Sequence, residues 1–205
     1  MILTNWGYTL PDIDTLPDMM TAQEYASMTG RADDTTRVTA EIAAACTAIR
    51  NFVGWHLSPS ESCKLETIAS DRRVTFTGHD IMIQLPARYV TAVSRVSIDG
   101  QEYTSHYIDT NGILRVFDVH ACIKRYAPVV VEYTAGIPAD QMSAVNELIA
   151  HRVTHAMAVP AGITSEASGG VSVTYNANWV NNSRATALVG DNRDVLIPYK
   201  VQGVF

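Results

Sequence analysis

The sequence is poor in charge. Aspartate, glutamate, lysine and arginine make up 18% of its 205 residues, below the roughly one quarter common in soluble domains. What charge exists leans acidic, with 21 acidic against 15 basic residues and a net charge of −6. No basic cluster exceeds the pairs Arg72–Arg73 and Lys124–Arg125. A face that wraps nucleic acid needs many phosphate contacts, so that class is excluded. A duplex passing nearby without adhering remains compatible with the acidic balance. Cysteine is scarce too. Cys46, Cys63 and Cys122 are odd in number and lack CxxC spacing, which predicts reduced thiols of a cytoplasmic protein, neither a disulfide frame nor a zinc site. The opening MILTNWGYTLPDIDTLPDMM lacks a basic start and a sustained apolar run, so neither a signal peptide nor a membrane anchor is expected.

Catalytic motifs are also missing. Glu147, His151 and His155 recur every fourth residue, a spacing that lines one helical stripe and can converge on a metal. However, Arg152 follows His151 where HExxH requires glutamate. A solvated face with a Glu–His pair is therefore expected, with no metal and no cofactor. Ser165–Gly170 is glycine-rich but lacks the lysine of a phosphate-binding loop and precedes a strand. His120 and Cys122 are too close in one loop to meet as a nucleophilic dyad. Asp12 and Asp14 are too few for a calcium loop. No enzyme is predicted; the competing reading is a small metal-dependent hydrolase on the Glu147/His151/His155 stripe.

What is present is periodicity. Thr21–Glu24 forms a capping-box pattern opening a short helix that Gly30 ends. Asp34 caps a second helix running to Val53, with Val38, Ile42, Ala45, Cys46, Ile49, Phe52 and Val53 on its apolar face. From Leu65 to Thr134 the period changes to two. Tight turns are expected at Gly78–Asp80, Asp99–Gly100 and Asn111–Gly112. The apolar parity of Val90–Ile98 shifts between Val93 and Val96, which predicts a bulge or burial on both faces. Pro138 opens a third helix reaching residue 159, with Val145, Leu148, Ile149 and Val153 on its apolar side. A loop follows over 161–170, then a strand at 171–175, a short helical stretch at 183–194 and an extended Ile197–Phe205. At this length the chain can bury roughly 70% of its unfolded surface, enough for one core with an inserted lobe.

The expected fold is α+β: a small helical bundle, from helices near 21–29, 35–53, 138–159 and 183–194, with an inserted antiparallel β lobe and extended terminal arms. The chain divides into an N-terminal arm (1–20), helical core (21–62), β lobe (63–136), helical core (137–160) and a loop with C-terminal arm (161–205). The arms lack core periodicity but carry scattered aromatic anchors. Trp6, Tyr8, Tyr175, Trp179, Tyr199 and Phe205 are the candidate contacts with partners or other subunits.

The segments WHL, LPARYVTAVSRVSIDG, EYTAGIP, AVNELIAHRV and SEASGGVSVTY occur in an order that resembles the head–tail connector (adaptor) proteins of tailed double-stranded-DNA bacteriophages and prophages. The resemblance spans about residues 20–200. It implies a non-enzymatic virion protein of the neck, assembled in the host cytoplasm. Such adaptors form a closed, usually twelve-fold ring under the portal protein and receive a stopper or tail proteins. DNA crosses the ring lumen without specific binding, and no membrane is involved. A tail-completion or stopper protein of the same neck is the nearest alternative.

Overall fold

The computed structural model describes residues 1–31, 34–109, 111–119, 123–158, 165–168, 171–174 and 192–201. The chain is mixed α and β, with antiparallel sheets and four helices among the described residues. It divides into a β unit (Met1–Pro17, Val53–Ala139, Tyr199–Phe205) and a helical unit (Asp18–Phe52, Asp140–Pro198). No described helix is long and apolar enough to cross a membrane.

In the helical unit, α1 (Ala22–Thr29) starts as the capping box requires. Thr21 Oγ1 accepts from Glu24 N, Glu24 Oε2 accepts from Thr21 N, and left-handed Gly30 closes the helix. The Thr21 amide, and after it the Thr21 hydroxyl that donates to Glu24 Oε2 and that alanine would remove, holds the Glu24 carboxyl below its usual pKa. A depressed carboxyl pKa stabilises the fold above the unfolded value, and that contribution is lost as pH falls through the folded one. Thr21→Ala is expected to cost about 1 kcal/mol near neutral pH, and the gap from wild type should narrow in acid. Melting curves at both pH values check this.

α2 (Thr35–Val53) is capped by Asp34, whose Oδ1 accepts from Thr36 N. It buries Val38, Ile42, Ala45, Cys46, Ile49 and Val53, while Phe52 is half-buried. α3 (Ser143–Ala158) begins five residues later than Pro138 would place it. Ile137 N still donates to Leu57 O, so Pro138 ends an extended tie, and a 3-10 turn (Ala139–Gln141) intervenes. α3 meets α1 where Tyr25 Oη lies 3.2 Å from Thr154 Oγ1, and meets α2 where Arg37 Nη2 donates to Ala156 O at 2.9 Å.

The β unit holds a six-stranded antiparallel sheet built from β1 (Ile2–Leu3), β2 (Thr9–Leu10), β3 (Glu61–Ile68), β6 (Val90–Ile98), β7 (Gln101–Glu102) and β10 (Pro128–Ala135), in the order β1-β2-β3-β10-β6-β7. A four-stranded sheet joins β4 (Val74–Thr77), β5 (Asp80–Gln84), β8 (His106–Ile108) and β9 (Ile113–Val116), in the order β4-β5-β9-β8. β10 alternates without a break. Val129, Val131, Tyr133 and Ala135 are buried, and the residues between them are half-buried. The bulge falls where parity predicts, since Glu132 faces Arg95 and Tyr133 faces Val93, leaving Ser94 extra. Asp99 and Gly100 both take positive φ (52° and 81°) to turn β6 into β7. At the Asn111–Gly112 turn the reason for glycine is space as well as its φ of 80°. A Cβ there would stand 2.2 Å from Ala87 O.

Several expectations fail. Residues 1–17 are no separate arm. β1 and β2 form a hairpin and Thr9 pairs with Lys64, adding this segment to the sheet. Residues 55–60, assigned to the helical core, belong to the β unit, and β3 starts at Glu61. Within the expected loop 161–170, β11 (Ser165–Ser168) pairs with β12 (Val171–Thr174) as a hairpin of its own. The expected helix 183–194 lies outside the described residues except for its end, where α4 (Asn192–Leu196) stands. Ile197–Tyr199 is a 3-10 turn instead of extended chain. The turn lets Val201 N return to Val53 O.

Candidate interaction surface

The Trp55-His56-Leu57 segment organises the β unit. Gly54 (φ 81°) ends α2 and Leu57 turns at φ 68°, and all three side chains are fully buried. His56 Nε2 faces Ala135 O at 2.9 Å. A carbonyl only accepts, so Nε2 carries the proton and Nδ1 accepts from the Tyr8 hydroxyl at 2.7 Å. Tyr8 Oη in turn accepts from His56 N at 3.0 Å. Trp55 stacks on Tyr89, and Tyr89 on Tyr199, with centroids 6.4 and 6.2 Å apart. Trp55 Nε1 donates to Tyr199 O at 2.8 Å.

These bonds decide what the candidate contact residues can do. Tyr8 is 1% exposed and serves as an internal fastener of the N-terminal hairpin. Trp6 is half-buried, stacked on Tyr8, and its carbonyl accepts from Arg73 Nη2 at 3.5 Å. Tyr199 is half-buried and ties the C-terminal segment to the same unit. Tyr175, Trp179 and Phe205 lie outside the described residues.

Exposed apolar surface sits elsewhere. Leu3 on β1 is 74% exposed and Tyr107 on β8 is 62% exposed. Each occupies the outermost strand of its sheet, where backbone donors and acceptors lie open to another chain. Tyr126, just before β10, is 70% exposed. Beside Tyr107 in register is Arg115, which donates to Asp80 Oδ2 through Nε and Nη2 and lies 5.2 Å from the Phe117 ring centre. Aromatic residues and arginine are the types enriched at protein interfaces. These positions are not legible in the sequence, because exposure on an edge strand depends on strand order, which periodicity does not encode.

The polar face of the six-stranded sheet is different in kind. Lys64–Glu66, Arg95–Glu102 and Arg95–Glu132 pair across or along strands, and all are substantially exposed. Such pairs contribute little to stability, and they give that face a hydrated surface. The two described thiols are shut away from solvent. Cys46 and Cys63 are free and buried, and burial pushes Cys63 up to about 12 and raises Cys46 as well. Cys122 lies outside the described residues.

On α3, His151 and Glu147 are exposed and His155 is half-buried. The two histidines approach one another, Nε2 to Nε2, at 3.0 Å. Among the described residues no three His, Cys, Asp or Glu side chains are grouped to hold a metal ion.

A family model described as Head completion protein matches residues 18–182. Comparison with curated proteins finds no match.

Proposed function

The chain belongs to the head completion protein family, and we propose that it is a structural protein of the phage neck: a head–tail connector that closes as a ring beneath the portal protein. The family match carries this reading. In it, the helical segments form the bundle that seats the protein, and the β unit is the lobe inserted between them. The chain order supports that division, since the β segment 53–139 lies between helical segments 18–52 and 140–198. The ring is twelve-fold in the proposal, following the portal-bound connectors that the sequence resembles, and it presents a platform for a stopper or tail proteins.

Rings require heterologous contacts: one patch of each copy meets a different patch of the next. Leu3 and Tyr107 offer two such patches on separate sheet edges, and a neighbouring copy is their proposed occupant. The net charge of −6 suits a conduit, because like-charge repulsion keeps the duplex off the wall.

Electron microscopy of the purified chain mixed with portal-bearing capsids tests the proposal. A ring seated at one vertex is expected. Chain that ignores capsids, yet is retained by tail proteins in a pull-down, would overturn it in favour of a tail-completion role.

A further inference from the structure

α3 turns Val145, Leu148, Ile149 and Val153 into buried surface and leaves His151 on its exposed side, with His155 at the margin. One helical turn apart, the two imidazoles stand edge to face, with ring centres 4.3 Å apart at 73° and their Nε2 atoms 3.0 Å apart. The hydrogen bond between them uses one proton, since a neutral imidazole has one donor and one acceptor nitrogen. The same approach has a second use. A divalent transition ion holds imidazole nitrogens at about 2.0–2.1 Å, which places two adjacent ligand atoms about 2.8–3.0 Å apart in octahedral and about 3.3–3.4 Å apart in tetrahedral coordination. The observed separation matches that bite, and the rings need only turn so that both Nε2 lone pairs converge on the ion in place of the shared proton.

We propose that His151 and His155 form a two-nitrogen chelate on the exposed side of α3 for a borderline divalent transition cation, with water completing its shell. The inference is independent of ring formation. Both donors are neutral nitrogen ligands, so the site favours Cu²⁺ over Ni²⁺ and Zn²⁺. It discriminates against Mg²⁺ and Ca²⁺, which take oxygen ligands. Linking residues one turn apart also fixes the last turns of α3. An ion that binds the folded helix better than the unfolded chain raises the melting temperature by mass action.

The test is calorimetric titration of the full untagged chain with CuCl₂, NiCl₂, ZnCl₂ and MgCl₂ in a non-chelating buffer near neutral pH. Saturable uptake of Cu²⁺, weaker uptake of Zn²⁺ and none of Mg²⁺ are expected. His151→Ala and His155→Ala should each weaken Cu²⁺ binding at least tenfold. His155→Gln serves where the alanine variant fails to fold, and far-ultraviolet circular dichroism verifies the helix. Electron paramagnetic resonance of the Cu²⁺ form should show hyperfine structure from two imidazole nitrogens, reduced to one in either variant. Absence of saturable Cu²⁺ uptake overturns the proposal, as does uptake unchanged in the His151→Ala/His155→Ala double variant.

Discussion

Replacing Trp55 by alanine is expected to destabilise the β unit by about 3–5 kcal/mol, the range for truncating a buried large aromatic. For a chain of this length each kcal/mol lowers the melting temperature by about 2–4 °C, so a fall on the order of 10 °C should be seen. Three losses combine. The indole is fully buried, so its removal leaves a cavity. Its stack on Tyr89 disappears, and with it the support for Tyr89 on Tyr199. Its Nε1–H no longer satisfies Tyr199 O. Trp55→Phe separates these effects, because the ring is largely kept while the donor is removed, and it should cost less than half as much. Scanning calorimetry measures both. A shift below about 2 °C for Trp55→Ala would show that the Trp55–Tyr89–Tyr199 ladder holds nothing together.

That ladder also shows what could be read from sequence. The capping box at Thr21–Glu24 and the stop at Gly30 are local, and both stand where the sequence places them. The bulge at Ser94 was legible because inserting one residue reverses which side chains face the core, and the parity of Val93 and Val96 records that reversal. The N-terminal hairpin was not legible. Its strands are two residues long, too short for any period, and its anchor is a Tyr8–His56 bond spanning 48 positions. The aromatics of the chain ends drew notice as surface anchors for want of periodicity. Tyr8 and Tyr199 instead bond within their own unit. Helix α3 was read correctly in its buried face and wrongly at its start, because Pro138 is compatible with a helix opening but Ile137 is held by Leu57 O. β11 escaped because SEAS lacks the β-branched residues that mark VSVT, its partner strand. The close approach of His151 to His155 was half legible. Spacing put both on one stripe, but the distance between the rings depends on rotamers.

The double variant Leu3→Asp/Tyr107→Asp is expected to abolish the proposed ring assembly at the portal while leaving the fold unchanged. At 74% and 62% exposure, neither side chain contributes much to the core, and surface substitutions usually stay within about 0.5 kcal/mol. Assembly is affected differently. A carboxylate driven into a contact must lose water, and without a partner the cost is several kcal/mol. At about 1.4 kcal/mol per tenfold change, even 3 kcal/mol weakens one contact by about two orders of magnitude. In a closed ring every copy contributes the same patch, so that penalty recurs at each junction. The single variants Leu3→Asp and Tyr107→Asp should be intermediate, and Leu3→Ala milder than Leu3→Asp because it removes apolar area without importing charge. The wild-type and variant chains would be compared by melting temperature and by counting vertex-seated rings in micrographs of portal-bearing capsids. Unchanged melting with at least a tenfold loss of rings is expected. Rings at wild-type frequency would show that the subunits meet through other surfaces, while loss of melting temperature together with rings would mean that the two edges serve the fold.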